Sequence, residues 1–73
     1  MKTYKLQLHK EKEGGYMIII PSLPGCITYG KDINDALTMS REAIELYIDE
    51  MEERGIILID DSELMEYTMT LEI

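Results

Sequence analysis

The sequence has a single cysteine and no apolar run long enough to span a bilayer. One cysteine cannot form a disulfide within the chain, which agrees with a reducing compartment. Every apolar run is far shorter than the roughly 18 residues that a membrane span needs, and no basic start precedes a long apolar core as in a secretory signal. We therefore expect a cytoplasmic protein that does not bind a membrane.

Histidine is nearly absent, and no nucleophile lies in a recognisable catalytic motif. His9 falls on the polar side of a predicted strand, where we interpret it as a solvated residue rather than a general base. Ser22, Ser40 and Ser62 have no evident base or orienting acid nearby in sequence. We interpret Cys26 as a small strand residue rather than a reactive thiol, because the histidine is distant. The sequence predicts no catalytic residue and no enzymatic activity.

Metal and phosphate sites are not predicted either. Carboxylates are plentiful, but the run DDSE at residues 60–63 lacks the glycine and the alternating acids of a calcium loop. We interpret this run as a loop cap or a solvated turn. Gly14, Gly15 and Gly25 lack the spacing and the lysine of a phosphate-binding loop. We expect no bound metal and no cofactor.

Positive charge is scarce and lies mainly in the first half of the chain. Seven Lys and Arg residues face fifteen Asp and Glu residues, for a formal net charge of −8. Residues 1–31 hold five lysines against two glutamates, whereas residues 32–73 hold two arginines against thirteen acids. Phosphate repels such a chain, so we expect no direct DNA binding and no tight RNA binding by this chain alone. A basic protein is the better electrostatic complement of the second half.

The 73 residues predict one domain, 1–73, of ordinary globular composition. A domain of this size buries only about 60–65% of the surface that its unfolded chain exposes, so its stability is small. We therefore expect self-association, as a homodimer or a higher homo-oligomer, to add stability.

Apolar patterns predict three strands in the first part of the chain. Residues 3–10 alternate between apolar and polar side chains, which indicates a half-buried strand. Residues 16–20 are apolar on both faces, which favours a central position in a sheet. The insert PSLPG, residues 21–25, ends this strand, and residues 26–29 predict a third. Two prolines and a glycine favour a structural turn, and a partner-facing role for the insert stays open.

A long amphipathic helix is predicted next. Asp32 is placed to cap its first turn, and apolar residues then recur at spacings of three and four as far as Met51. Glu50 and Arg54 form a favourable pair four residues apart, and Gly55 is a suitable stop. The sequence predicts a helix of about five to six turns.

The last part of the chain predicts a connector and a fourth strand. Residues 56–59 are apolar and short, which indicates a buried connector. Residues 65–73 alternate strictly, which indicates a strand with one buried face. The predicted fold is therefore α+β in the order β-β-β-α-β. An antiparallel meander carries one helix on one face, and the fourth strand returns to the same sheet.

The outer face of the predicted helix carries an acidic stripe. Four acids lie within about 80° of one another and opposite the apolar face. Like charges on a helix repel one another unless they are solvated or meet positive charge. A solvated face and a partner surface are both open interpretations. The acidic stripe consists of Glu42, Glu45, Asp49 and Glu52.

Two apolar residues lie beside the acidic stripe. Met39 and Leu46 are seven residues apart, so they share one flank of the helix. They either widen the core-facing side or form an apolar contact with a partner. Together with the acidic stripe they are the candidate partner-binding residues.

One stretch, GGYMIIIPSLPGCITYGKDINDALTMSREAIELYIDEM, closely resembles the HicB-like family. The family pattern is a glycine-glycine-tyrosine strand, a proline-x-leucine-proline-glycine-cysteine turn, a threonine-x-glycine step and a helix with alanine-leucine, glutamate-alanine-isoleucine and leucine-tyrosine elements. The resemblance covers about residues 4–53. Its elements here are Gly14, Gly15, Tyr16, Pro21, Leu23, Pro24, Gly25, Cys26, Thr28, Gly30, Ala36, Leu37, Glu42, Ala43, Ile44, Leu46 and Tyr47.

The resemblance implies an antitoxin-like domain with a partly degraded RNase H-like fold. Such proteins bind and neutralise HicA, a small basic RNA-cleaving toxin with a double-stranded-RNA-binding fold, and are not expected to be nucleases. The acidity of residues 32–73 agrees with a basic HicA-type partner.

One departure from the family concerns DNA. Many family members carry a C-terminal helix-turn-helix or ribbon-helix-helix segment that binds operator DNA. This chain ends on the predicted fourth strand, so we expect a single domain without that DNA-binding segment. Two alternatives stay open: a solitary HicB-like domain with a residual nucleic-acid-binding or nuclease role, and a self-associating structural domain.

Overall fold

The computed structural model describes all residues, 1–73, and contains three strands followed by one helix. Strand β1 spans Gln7–Lys10, β2 spans Tyr16–Ile19 and β3 spans Ile27–Gly30, and helix α1 spans Ile33–Glu53. The strands form one antiparallel sheet in the order β1-β2-β3. The predicted α+β class and the central position of the second strand are confirmed.

The helix covers one face of the sheet and lies toward one side of it. The register places Ile18 opposite Leu8 on β1 and opposite Thr28 on β3, so these side chains share the face under α1. Helix α1 lies over β3 and β2 but not over β1. The fully enclosed apolar core is consequently small. It consists of Ile18, Ile20, Leu23, Cys26 and Ala36.

The PSLPG insert folds inward instead of standing out as a loop. Leu23 is 0% exposed and belongs to the core. Its N–H donates to the Ile20 carbonyl at 3.0 Å, and the Cys26 N–H donates to the Leu23 carbonyl at 2.9 Å. Gly25 has φ +82°, a conformation that other residues rarely adopt, and the Tyr47 hydroxyl donates to the Pro24 carbonyl at 2.8 Å. The predicted structural role of the insert is confirmed.

Helix α1 begins and ends where the sequence predicts. The Asp32 carboxylate accepts the Asp35 N–H at 2.7 Å, as an N-cap does. At the other end the Ile56 N–H donates to the Met51 carbonyl at 2.9 Å, which satisfies a carbonyl that the helix leaves free. Glu50 accepts from Arg54 at 2.6 Å, as the spacing of the pair predicts. The helix does not combine the length and the apolar composition that a membrane span requires.

The predicted fourth strand does not form. Residues 65–73 have no strand pairing, make no hydrogen bond and are exposed throughout. The chain turns before it reaches them, because the Leu64 N–H donates to the Asp61 carbonyl at 3.0 Å. Alternation of side chains shows that a segment has one face to bury, but it does not select the edge that the segment pairs with.

The predicted burial of the connector 56–59 is also wrong, except at Leu58. Leu58 packs against the core, whereas Ile56, Ile57 and Ile59 are exposed, Ile57 at 93%. The first predicted strand is shorter than expected, since pairing starts at Gln7 and not at residue 3. Residues 3–6 are held by the connection after α1, described below.

Candidate partner-binding surface

All six candidate residues lie on α1, and the acidic stripe is exposed to solvent. Glu42, Glu45, Asp49 and Glu52 are each exposed. Only one of them has an ion-pair partner: the Arg41 Nε donates to a Glu45 carboxylate oxygen at 2.9 Å, with both side chains open to solvent. An ion pair of this kind contributes little stability. The stripe is therefore a row of carboxylates of which three lack a compensating cation.

The C-terminal end of α1 adds to the negative potential of the acidic stripe. A helix carries a partial negative charge at its C-terminal end, and the last turn of α1 contains no basic residue to offset it. Glu52 and Glu53 lie in that turn, next to the Glu50–Arg54 pair. Acids at this end lower the stability of the isolated helix and strengthen the negative potential that a cationic partner meets.

The structure separates the two apolar candidates. Met39 is half-buried, and it is not among the residues packed against the enclosed core. Leu46 is 71% exposed and adjoins the acidic stripe. Leu46 is therefore the apolar side chain that a partner on this face would meet.

The cysteine, serine and histidine side chains do not form a catalytic arrangement. Cys26 is buried, and burial raises the pKa of its thiol, which disfavours the reactive thiolate. The Ser22 hydroxyl donates to Asp61, and the Ser40 hydroxyl donates to a carbonyl within α1. His9 is exposed on β1. No three His, Cys, Asp or Glu side chains lie close enough together to hold a metal ion.

Asp60 and Asp61 hold residues 3–5 after the chain leaves α1, and the sequence does not predict this contact. We call these two residues the carboxylate clamp. Asp61 is 5% exposed, accepts the Lys5 N–H at 2.7 Å and accepts the Ser22 hydroxyl, while its own N–H donates to the Thr3 carbonyl at 2.7 Å. Asp60 accepts the Thr3 N–H at 2.8 Å. These partners lie 39 or more residues away in sequence, so no local pattern reveals them. The DDSE run is thus a tertiary clamp, and the predicted solvated turn is wrong. Asp60 also accepts the Ser62 N–H at 3.3 Å and the Ser62 hydroxyl at 2.8 Å, so the predicted loop cap is present.

The clamp makes stability depend on pH. The Lys5 N–H, and then the Ser22 hydroxyl, hold the pKa of Asp61 below its ordinary value of 3.8, because both hydrogen bonds favour the carboxylate. The stability that this group contributes is complete above the unfolded-state pKa and is lost as pH falls through the lowered folded-state pKa. We expect Asp61→Asn to be less stable than wild type near neutral pH and to lose less stability below about pH 4.

Urea unfolding midpoints at neutral and acidic pH measure this difference. Asp49→Asn is the matched control, because Asp49 is exposed and makes no hydrogen bond. If the urea midpoint of Asp61→Asn fell as steeply as that of wild type when the pH is lowered, the clamp would not contribute to the pH dependence.

Comparison with known proteins links the whole chain to one family. Residues 4–72 match the sequence profile of a family described as HicB_like antitoxin of bacterial toxin-antitoxin system. The chain is 38% identical over 52 residues to a UPF0150 protein of Thermoplasma acidophilum, an alignment that covers 71% of this chain and 75% of that protein. It is 37% identical over 46 residues to a UPF0150 protein of Archaeoglobus fulgidus, covering 63% of this chain and 67% of the relative. A UPF0150 protein of Helicobacter pylori is 42% identical over 43 residues, covering 59% of this chain and 60% of the relative.

Proposed function

The chain belongs to the HicB-like antitoxin family, and from that premise we propose that it is a cytoplasmic binding module that captures and neutralises a small basic RNA-cleaving toxin of the HicA type. The observation that supports this proposal best is the exposed acidic stripe on α1. The proposed role is non-enzymatic, because inhibition requires only that the antitoxin cover the surface with which the toxin holds RNA.

The electrostatic argument starts from what an RNA-cleaving toxin needs. Such a protein holds the phosphate backbone with lysine and arginine side chains, so its RNA-binding surface is positive. From Glu42 to Glu52 the acidic stripe extends about 15 Å along α1, at about 1.5 Å per residue. A row of carboxylates offers that surface a series of anions in place of phosphates, and the excess acidity of residues 32–73 speeds the encounter.

Charge alone does not give a long-lived complex, and Leu46 supplies a candidate apolar anchor. Binding energy in protein interfaces comes mainly from a few well-buried side chains at the centre, surrounded by a polar rim. Leu46 is 71% exposed beside the acidic stripe, and Met39 is half-buried on the same flank. We place Leu46 at the centre of the toxin contact and the acids around it.

Self-association is the second part of the proposal. Only five apolar residues are fully enclosed, whereas Tyr29 and Ile27 on the face of the sheet away from α1 are 61% and 50% exposed. A small domain with so little core gains stability from a second copy. We propose a homodimer or a higher homo-oligomer.

Charge reversal on the helix tests the toxin-binding surface. We expect Glu45→Lys/Asp49→Lys to weaken binding to the HicA-type toxin by about 100-fold or more, because like charges across an interface cost several kcal/mol. The same change is expected to leave the isolated chain folded, since both side chains are exposed. Isothermal titration calorimetry against the purified toxin measures the affinity.

Glu11→Lys/Glu13→Lys is the matched control, because it makes the same change of net charge in the exposed turn between β1 and β2. We expect this control to bind nearly as well as wild type. An equal loss of affinity in both variants would show that overall charge matters and the acidic stripe does not. Undiminished binding by Glu45→Lys/Asp49→Lys would remove the stripe from the toxin contact.

A further inference from the structure

The last nine residues form an arm that has no partner in its own chain. We call residues 65–73 the C-terminal arm. Every side chain in it is exposed, and none of its main-chain groups makes a hydrogen bond. Its side chains alternate as in a strand that buries one face. The apolar row is Met65, Tyr67, Met69, Leu71 and Ile73, and the polar row is Glu66, Thr68, Thr70 and Glu72.

The whole chain exposes more surface than a compact monomer of its size. Its accessible surface is 6205 Å², whereas a folded monomer of this mass is expected to expose about 4,650 Å². Its radius of gyration is 14.1 Å, against about 11 Å for a compact domain of this length. The excess, about 1,500 Å² per chain, would give about 3,000 Å² in a pair, which is the range of obligate homodimers.

A largely apolar groove lies between α1 and residues 2–6, which lead into β1. Helix α1 lies over β2 and β3 and leaves β1 uncovered. The groove has a volume of about 340 Å³, and its apolar lining is Tyr4, Leu6, Leu37, Ile44 and Ile48. Its polar lining is Lys2, Ser40, Arg41 and Glu45. We call it the β1 groove. The hydroxyl of Tyr4, one of its lining residues, is buried without a hydrogen-bond partner.

The carboxylate clamp stops the C-terminal arm from continuing along its own β1. The Asp61 N–H donates to the Thr3 carbonyl, as it would at the start of a parallel ladder. The next N–H along the edge, that of Lys5, is taken by the Asp61 side chain instead of a main-chain carbonyl. The turn from Asp61 to Leu64 then redirects the chain. The edge of β1 stays free, and so does the arm.

We propose that the C-terminal arm of one copy adds to the free edge of β1 in a second copy and places its apolar row in that copy's β1 groove. The exchange is reciprocal, so two identical contacts close a two-fold dimer. Charge favours this edge, because Lys5 lies on the face of the sheet away from the groove, where Glu66 and Glu72 of the polar row would also lie. Edge strands are the usual sites for such pairing.

This inference rests on the self-association proposed above and names its surface. The β1 groove shares Glu45 with the acidic stripe, so the tests change the arm and leave the stripe intact. Its first test is a pair of variants in the arm, analysed by size-exclusion chromatography with light scattering. We expect Met69→Asp/Leu71→Asp to raise the dimer dissociation constant at least about 100-fold, because it places charge in an apolar groove. Thr68→Asp/Thr70→Asp adds the same charge to the polar row, and we expect it to shift the constant less than about fivefold.

These residues are exposed, so both variants should fold, which circular dichroism verifies. A dimer that survives Met69→Asp/Leu71→Asp would leave self-association standing on another face and overturn the arm exchange. A wild-type chain that stays monomeric at millimolar concentration would overturn both the proposed self-association and the arm exchange.

A second test distinguishes a second copy from the chain's own arm. In a Cys26→Ser background, one chain carries Met69→Cys in the arm and another carries Leu37→Cys in the groove. We expect the mixed and oxidised chains to form a disulfide between the two variants. A single chain that carries both cysteines and closes the disulfide within itself, as a monomer, would show that the arm folds back on its own groove and would overturn the proposal.

Discussion

The Leu23→Ala variant is expected to lose much or all of the free energy that keeps the chain folded at room temperature. Leu23 is 0% exposed and is one of only five enclosed apolar side chains. Replacing a buried leucine by alanine costs about 2–5 kcal/mol, from the lost burial and the cavity left behind. A small domain has a total stability of about 5 kcal/mol, so this single cavity removes much or all of it.

The position of Leu23 in the chain increases the expected effect. Its N–H and carbonyl bond to Ile20 and Cys26 in the turn that joins β2 to β3. Its side chain anchors the same turn to the core. Leu46→Ala is the matched control, since it removes the same atoms from an exposed site and should change stability by less than about 0.5 kcal/mol. Urea unfolding followed by circular dichroism gives both values. A loss below about 1 kcal/mol for Leu23→Ala would contradict the placement of Leu23 in the core.

Gly30→Ala is expected to be the second most damaging single change. A Cβ added at Gly30 would overlap main-chain atoms of Ala36 and lie 2.8 Å from the Ala36 Cβ. Gly30 has no positive φ, so the problem is steric and lies where the end of β3 meets the first turn of α1. Such overpacking costs about 1–3 kcal/mol or more. We expect a lowered melting temperature and a reduced fraction of folded protein.

Two further variants identify the cause. The Gly30→Ala/Ala36→Gly double variant should recover little stability, because the overlap is mainly with the backbone of Ala36. Gly25→Ala adds a Cβ in open space at positive φ and measures the backbone effect alone. A full rescue by Ala36→Gly would show that the contact is between side chains only.

Local patterns in the sequence specify most of the elements. Strands β2 and β3 and helix α1 are predicted within about two residues, because period-two and helical repeats of apolar residues and the Asp32 cap are local signals. The exposed acidic stripe follows from the same helical repeat, since residues opposite the apolar side face solvent.

The features that local patterns miss are all long-range. The Asp61 clamp joins residues 39 or more apart, and nothing near Asp61 in the sequence identifies Lys5 or Ser22 as its partners. Residues 65–73 do alternate like a strand, but the choice of an edge depends on tertiary contacts that a repeat does not encode. The displacement of α1 from β1, which opens the β1 groove, is likewise a result of packing.

The structure distributes stability and function over different residues. The core, the Leu23 turn and the Asp61 clamp hold the fold, whereas the acidic stripe opposes it by placing like charges near the negative end of α1. A surface that lowers the stability of the free chain is consistent with one that a cationic partner covers. The proposed toxin contact and the proposed arm contact meet at Glu45, which belongs to the acidic stripe and also lines the β1 groove. Variants in the arm itself leave the acidic stripe unchanged, so they test the arm contact separately.

The most direct test of the proposed function is a titration of toxin activity. RNA cleavage by a purified HicA-type toxin is measured as increasing amounts of the purified chain are added. We expect cleavage to fall to background at a stoichiometric ratio, together with a stable complex in size-exclusion chromatography. Unchanged cleavage in the presence of excess folded chain, with no complex, would contradict the proposal that this chain neutralises a HicA-type toxin.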